Sequence, residues 1–349
     1  MKQLIDKLRS ERHLDSAEWL TLFTGRSAED EVYARELARR ECEDVYGKDV
    51  YLRGLIEISS FCKNDCLYCG LRRSNLDCER YRLTEDEILD CCREGYALGF
   101  RTFVMQGGED MWFTDERLCS IVSAVRSEFP DAAITLSVGE KSRDTHQKYF
   151  DAGANRYLLR HETADAAHYA KLHPKNLTLE NRMECLYTLK DIGFQVGAGI
   201  MVGSPGQTWE CVAKDMEFMH ALQPHMVGIG PFLPHHATPF KDEPAGSLND
   251  TLFIVALVRL MLPNALIPAT TALATLDPEG REQGLLSGAN VIMPNLSPAD
   301  VRKKYLLYDN QQAFGSEAAQ SLEVNRLALE KIARSLYFSS NYHIFLFTI

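Results

Sequence analysis

The sequence predicts an α/β fold: a parallel (β/α)8 barrel of the TIM type with a helical extension at its N-terminus. From residue 49 onward, short apolar runs alternate with amphipathic segments at a period of roughly thirty residues, and glycine or proline stands at most of the joints. There are eight such runs, which is the strand number of a closed parallel barrel. A doubly wound open sheet is the main alternative, because short strands are easily miscounted.

The first 48 residues follow a different pattern, in which apolar residues recur at intervals of three and four. This spacing predicts helices over residues 14–23 and 28–45. Because no low-complexity linker follows them, we expect only two regions, a helical extension at residues 1–48 and one barrel domain at residues 49–349.

Within the barrel, strands are predicted at the apolar runs and helices at the amphipathic segments between them. The first of these helices, residues 84–98, begins with a capping-box pattern in which Glu87 follows Thr84. The strands are expected at residues 54–58, 102–105, 133–138, 156–159, 195–200, 226–229, 266–269 and 290–292. The remaining helices are expected at residues 115–128, 143–152, 179–192, 208–222 and 249–261.

Composition excludes several classes of function. The formal net charge is −11, and an acidic chain repels phosphate backbones, so we expect no nucleic-acid partner. No stretch approaches the roughly 20 apolar residues of a membrane helix, and no secretory signal opens the sequence, so we expect no membrane partner. The ten cysteines are therefore expected to be reduced thiols in the cytoplasm, available to metals.

Polar and glycine-rich strings follow the predicted strands, where the active sites of parallel barrels lie. The most specific string is Cys62-x3-Cys66-x2-Cys69, directly after the first predicted strand. Three thiolates at this spacing can hold a [4Fe-4S] cluster and leave one iron without a protein ligand. A zinc site usually takes four ligands, as does a ferredoxin-type cluster, so both fit less well; chance spacing stays a further alternative. The ring of Tyr68 is available either to stack on an adenine or to pack.

This motif resembles that of the radical SAM superfamily, in which S-adenosylmethionine (SAM) chelates the open iron and is cleaved to a 5′-deoxyadenosyl radical. Within the superfamily the chain is most similar to the HydE maturases of [FeFe]-hydrogenases. The matching strings are CLYCGLRRSN (66–75), YRLT (81–84), QGGED (106–110), TLSVGE (135–140), RYLLRHET (156–163), GAGIMVGSPGQ (197–207), MVGIGPFLPH (226–235), IPATTA (267–272) and GANVIMP (288–294).

The resemblance implies a role for each matching residue. Cys62, Cys66 and Cys69 are implied as cluster ligands, and Arg182 as the partner of the SAM carboxylate, which a guanidinium fork matches in two bonds. The implied SAM site also contains Tyr68, Gly107, Gly108, Glu109 and Glu162. The substrate-pocket candidates are Thr135, Ser137, Arg160, Met201, Met226, Thr270, Thr271 and Tyr305.

Each of these residues also has a purely structural alternative. In that alternative, Gly107 and Gly108 form a tight turn, and Arg160 pairs with Glu162. Arg182 is then a solvated helix residue, the methionines fill the core, and the two threonines cap a helix.

The implied function is SAM cleavage in maturation of the [FeFe]-hydrogenase H-cluster, with an iron–cysteine species bearing carbon monoxide and cyanide as substrate. The implied partners are a small organometallic or amino-acid-derived substrate, a reductant such as ferredoxin or flavodoxin, and other hydrogenase maturases. A methylornithine synthase-like lysine mutase is the first alternative. A non-catalytic iron–sulfur or zinc protein is an alternative of another class. Biotin synthase fits less well, because no predicted strand contains a cysteine for a second cluster.

Two features depart from the family. No cysteine follows Cys211, so we predict one cluster where some members carry a second. The tail at residues 335–349 is aromatic and uncharged, and it is either an altered reading frame or a segment that packs on the barrel. His161, His235 and His236 receive no role, because neither their spacing nor a carboxylate partner indicates a metal.

Overall fold

The computed structural model describes residues 1–311 and 318–338. In chain order its elements are α1 (Lys2–Glu11), α2 (Ser16–Gly25), α3 (Ala28–Tyr46), β1 (Asp49–Leu52), β2 (Gly54–Ser59), α4 (Glu85–Ala97), β3 (Thr102–Gly107), α5 (Asp115–Glu128), β4 (Ala133–Ser137), α6 (Arg143–Asp151), β5 (Arg156–Leu158), α7 (Ala166–Leu172), α8 (Leu179–Ile192), β6 (Gln195–Val202), α9 (Trp209–Leu222), β7 (Met226–Pro231), α10 (Leu248–Met261), α11 (Thr271–Leu276), α12 (Gly280–Leu286), β8 (Val291–Ile292), α13 (Ala299–Arg302), α14 (Ala318–Lys331) and β9 (Ser335–Tyr337).

Strands β2 to β7 form one parallel sheet in sequential order, as successive βα units of a barrel do. Beyond β7, single parallel bridges continue the ring around to β2: Met226 with Leu266, Pro268 with Val291, and Asn295 with Leu55. The α/β class and the (β/α)8-type barrel predicted from the sequence are confirmed.

Side chains alternate between the two faces of each barrel strand. Along β2, Ile56 and Ile58 are buried in the core that the barrel shares with its surrounding helices. Leu55 and Glu57, at the intervening positions, line the interior instead. This interior opens at the carboxyl ends of the strands, where the predicted site residues lie.

The helices α1 to α3 pack against the outside of the barrel. Capping boxes begin α2 at Asp15 and α3 at Ser27, which satisfies backbone N–H groups that a helix start leaves unpaired. The guanidinium of Arg12 donates to the carbonyl of Leu260 in α10 at 2.7 Å and also bonds Glu41. The boundary after residue 48 stays a prediction.

Two parts of the sheet differ from the prediction. Residues 266–269 make only bridges, because Pro268 has no N–H to donate to a ladder. A second small sheet, in which β1 lies between β8 and β9, was not predicted. It places the start of the aromatic tail, residues 335–337, on the barrel, while residues 312–317 and 339–349 lie outside the described residues. Among the helices described, none combines the length and apolar composition that crossing a membrane requires.

Candidate active site

A cavity of about 540 Å³ opens at the carboxyl ends of the barrel strands. All of the predicted site residues line it except Thr135. Thr135 faces a separate small void beneath, beside Arg53 and Arg156. One chamber thus brings together the cysteine loop, the residues expected to hold SAM and most of the substrate candidates.

The cysteine loop begins three residues after β2 and lies at the mouth of this cavity. Cys62, Cys66 and Cys69 are partly exposed free thiols. Backbone bonds fix the loop, with Lys63 N donating to Glu109 O at 2.9 Å and Gly70 N donating to Leu307 O at 2.8 Å. The loop is therefore fixed between the segment that follows β3 and the segment that follows α13.

The three thiols suit an iron–sulfur cluster better than one zinc ion. The pKa of Cys69 is raised to about 12, mainly by burial and in smaller part by the nearby Cys62, so these two thiols lie within electrostatic range of one another. In residues 1–311 and 318–338, the only three His, Cys, Asp or Glu side chains with ligand atoms all within 4.8 Å are His235, His236 and Asp309. At least one pair of the cysteine sulfurs is thus more than 4.8 Å apart, which exceeds the roughly 3.8 Å that tetrahedral zinc with 2.3 Å bonds imposes.

The glycine-rich segment after β3 lies directly against the cysteine loop. A Cβ atom on Gly108 would stand 2.2 Å from the carbonyl oxygen of Phe61 and 2.8 Å from Cβ of Cys62. Any side chain there would push the loop away, so this glycine is required by close approach rather than by a tight turn alone. Next to it, Glu109 Oε2 lies 3.1 Å from Lys63 Nζ.

Arg182 on α8 is buried, which contradicts the alternative of a solvated surface arginine. Its Nε donates to Glu140, and its Nη1 donates to the carbonyl of Arg160 at 2.7 Å. The second terminal nitrogen, Nη2, has no hydrogen-bond partner in the described chain. The guanidinium is therefore held from two sides with one donor edge left for a ligand.

Glu162 projects from a strained turn after β5. Its φ is 63°, in the left-handed region that non-glycine residues rarely adopt. Arg160 Nη2 lies 2.9 Å from its Oε2, so the ion-pair alternative for these two residues is part of the structure. Both side chains nevertheless line the cavity.

A buried pair stands behind this turn. His161 Nδ1 accepts a hydrogen bond from Gly199 N at 3.4 Å, and its Nε2 lies 3.5 Å from Oδ1 of Asp215 on α9. The backbone N–H of Ala164 also donates to Asp215. His161, to which the sequence assigned no role, therefore anchors the strand end that presents Glu162.

The substrate candidates surround the deeper part of the chamber. Thr270 stands at the N-cap position of α11 but makes no capping hydrogen bond. Its hydroxyl donates instead to the carbonyl of Ile229 at 3.4 Å. Helix capping therefore does not account for this threonine. The other candidates on the cavity wall are Ser137, Arg160, Met201, Met226, Thr271 and Tyr305.

Sequence reasoning missed several polar residues of this wall. Glu57 is 2% exposed, and its Oε2 accepts from Asn295 Nδ2 at 2.8 Å. Its signal was a charged residue at an inward position of an otherwise apolar strand. Other polar lining residues that were missed include Gln106, Arg281, Arg302 and Tyr308.

The structure supplies the carboxylate that the sequence did not indicate for the histidine pair. Asp309 Oδ1 lies 2.6 Å from His236 Nδ1 and 3.9 Å from His235 Nε2. However, Ala237 N donates to His235 Nδ1 at 3.1 Å, so the proton of a neutral His235 sits on Nε2. The trio therefore ties residue 309 to the loop after β7 by hydrogen bonds.

The chain is similar in sequence and in fold to known proteins. The radical SAM superfamily model matches residues 56–219. The [FeFe] hydrogenase maturase subunit HydE of Thermotoga maritima is 47% identical over 262 residues, which are 75% of this chain and 74% of that protein. A 3-methylornithine synthase of Methanosarcina acetivorans is 31% identical over 266 residues, 76% of this chain and 74% of the other. The crystal structure of methylornithine synthase (PylB) superposes with a TM-score of 0.83 at 28% identity, covering 96% and 97% of the two chains.

The first of these relatives covers most of both chains at high identity, and the family model includes the cysteine loop. The sequence resemblance to HydE and to methylornithine synthase is thereby confirmed. The chain belongs to the radical SAM superfamily of enzymes.

Proposed function

We propose that this enzyme reductively cleaves SAM at a [4Fe-4S] cluster held by Cys62, Cys66 and Cys69. The observation that carries the proposal is the meeting of three free thiols with Glu162 and Arg182 in one chamber. The superfamily uses a [4Fe-4S] cluster and SAM. When bound, the cluster supplies the electron and the open iron site for cleavage to the 5′-deoxyadenosyl radical.

The chain's own residues bind and orient SAM. Arg182 directs its remaining donor edge to the methionine carboxylate, while Glu140 and the carbonyl of Arg160 hold it in place. Backbone groups of Gly107, Gly108 and Glu109 meet the amino group. Glu162 accepts hydrogen bonds from SAM polar groups, and the ring of Tyr68, which contacts His173, stacks near the adenine. The buried walls exclude water from the radical.

We further propose that the reaction serves maturation of the [FeFe]-hydrogenase H-cluster. The similarity to HydE over three quarters of the chain supports this. The substrate is an iron–cysteine species that bears carbon monoxide and cyanide, held by the candidates in the deeper part of the chamber. Ferredoxin or flavodoxin supplies the electron, and other maturases deliver the substrate and receive the product.

The test has two stages. Protein reconstituted with iron and sulfide under anaerobic conditions, then reduced and given SAM, is expected to release 5′-deoxyadenosine. Bound zinc without a visible-absorbing cluster would instead support a non-catalytic scaffold. In the second stage, extract lacking this protein should fail to activate an [FeFe]-hydrogenase, and adding the holoenzyme should restore activity. No restoration despite SAM cleavage would refute the maturation role.

A methylornithine synthase-like activity is the second candidate. It is favoured by the 31% identity to a 3-methylornithine synthase and by the superposition over nearly the whole of both chains. Incubating the reduced holoenzyme with SAM and isotopically labelled lysine separates the two candidates. Formation of labelled methylornithine would support the mutase, and unchanged lysine together with hydrogenase activation would support the maturase.

A further inference from the structure

Glu57 is a carboxylate in the chamber for which the proposed SAM site has no use. It lies on β2 two residues before the strand end, about 7 Å deeper than that end at the usual rise per residue. Its backbone is fixed, since Glu57 N donates to Ser297 Oγ and the hydroxyl of Tyr81 donates to its carbonyl at 2.8 Å. The backbone that carries this carboxylate is thus fixed below the cysteine loop.

This carboxylate differs from the other two that line the chamber. Glu109 has Lys63 at 3.1 Å, and Glu162 has Arg160 at 2.9 Å. Glu57 makes no salt bridge in the described part of the chain. Asn295 is the donor to its Oε2, and Arg302 acts on it only at longer range. The Oε1 atom is left facing the chamber without a hydrogen-bond donor among the described residues.

An ionised carboxylate in this position is costly until a ligand supplies a donor. Taking the group out of water disfavours its charge, and burial accordingly raises the pKa of Glu57 to about 7. A ligand cation that reached Oε1 would recover the lost solvation as a charge-assisted hydrogen bond.

The same chamber also carries the complementary charge. Arg160, which already pairs with Glu162, follows β5, three strands from β2 in the sheet, and Arg281 of α12 lines the chamber as well. An α-amino acid has an ammonium and a carboxylate group. The Glu57 carboxylate and the Arg281 guanidinium, which line one cavity, match that pair of charges.

We propose that Glu57 binds the ammonium group of an amino-acid-derived substrate. The inference rests on the proposed function, which supplies a small amino-acid-derived substrate. It deepens that function by naming the group of the substrate that is recognised. It holds for a cysteine-derived and for a lysine-derived ligand alike.

The experiment compares probes that differ only in the amino group. The holoenzyme with SAM bound is titrated calorimetrically with L-cysteine and 3-mercaptopropionate, and with L-lysine and 6-aminohexanoate. The wild-type enzyme should bind the α-amino member of at least one pair at least about tenfold more tightly. Glu57→Gln should abolish that preference, because an amide has the same shape without the charge. Absence of a preference in both pairs, or its persistence in Glu57→Gln, would overturn the inference.

Two further variants separate recognition from folding. Gln106 is the register neighbour of Glu57 on β3 and also lines the chamber, so the double variant E57Q/Q106E returns a carboxylate to the same wall. Partial recovery of the preference is expected, whereas a merely structural role gives none. Glu116→Gln makes the same chemical change at an exposed position of α5 and should keep the preference.

The two proposals fail independently. An enzyme that activates the hydrogenase but shows no amine preference refutes the role of Glu57 alone. An enzyme with the preference that does not activate the hydrogenase refutes the maturation role alone.

Discussion

Arg160 Nη2 lies 2.9 Å from Glu162 Oε2, and the two residues flank the buried His161. Arg160 Nη2 also donates to the carbonyl of Ile200 at 2.6 Å. The ion pair is thus anchored to β6 while both side chains remain on the cavity wall. Its carboxylate is fixed in place before a ligand arrives, which lowers the entropy cost of binding.

Glu162→Gln should weaken SAM binding without loss of the cluster. Hydrogen bonds to a charged group contribute about 1.5–3 kcal/mol, so the Kd for SAM is expected to rise roughly tenfold to a hundredfold. Calorimetry gives the Kd, and iron analysis gives cluster content. The matched change Glu184→Gln, on an exposed position of α8, should alter neither. An unchanged Kd in Glu162→Gln would remove this residue from the SAM site.

Arg182→Lys should weaken SAM binding although the positive charge is kept. The guanidinium bonds Glu140 and the carbonyl of Arg160 from two different nitrogens, and one ammonium cannot do both and still reach a ligand. We expect SAM affinity to fall by more than about tenfold while most of the iron is retained. Parallel loss of iron and SAM affinity would indicate a folding role instead.

The predicted residues that do line the cavity are those whose position follows from the local sequence pattern alone. Cys62, Gly108 and Glu162 each follow a strand, and the carboxyl ends of parallel strands converge in a barrel. Residues 266–269, predicted as a strand, make isolated parallel bridges and no continuous ladder, because Pro268 has no N–H to donate.

What the sequence did not indicate depends on contacts between distant segments. β1 pairs with β9 across most of the chain length, and Asp309 meets His236 from 73 residues away. Neither apolar periodicity nor motif spacing encodes such pairings. Glu57 is a different case. Alternation along β2 already predicts that its side chain points inward, but it lies within an apolar run and was not among the predicted site residues.

Gly108→Ala should prevent stable cluster assembly. The added methyl would stand 2.2 Å from the carbonyl oxygen of Phe61, far inside contact distance, so the cysteine loop has to move. We expect iron bound after reconstitution to fall to a small fraction of the wild-type amount. In Gly228→Ala the nearest atoms are at 3.6 Å, and iron content should be kept. Full iron content in Gly108→Ala would show that the loop tolerates displacement.

Cys66→Ala should abolish SAM cleavage, because a cluster held by two thiolates is not retained. The measurement is 5′-deoxyadenosine released per reduced protein, together with the visible absorption of the cluster. Cys119→Ala, on the outer helix α5, is the matched control and should cleave SAM at the wild-type rate. Cys78, Cys91 and Cys92 are expected to be equally dispensable. Cleavage at the wild-type rate by Cys66→Ala would exclude it as a ligand.

His146 should make the fold sensitive to acid. The ring is fully buried on α6 against Tyr157, and neither nitrogen has a hydrogen-bond partner among the described residues. Burial lowers the pKa of His146 to about 4, with a smaller contribution from Lys141. The unfolded chain, with an ordinary histidine pKa near 6.5, therefore binds more protons between these values. The stability that depends on a neutral His146 is fully present above pH 6.5. By pH 4, about 3 kcal/mol of the free energy of unfolding is lost.

The test is the free energy of unfolding measured by denaturant titration from pH 7 to pH 4. His146→Phe keeps the ring contact and removes the titration, so its stability should fall less steeply with acid than that of the wild type. Between pH 7 and pH 4, the free energy of unfolding of the wild type should fall by about 3 kcal/mol more than that of His146→Phe. His146→Gln should flatten the profile equally, although its unpaired buried amide lowers stability at every pH. Parallel wild-type and His146→Phe profiles would mean that the pKa of His146 is the same in the folded and the unfolded chain.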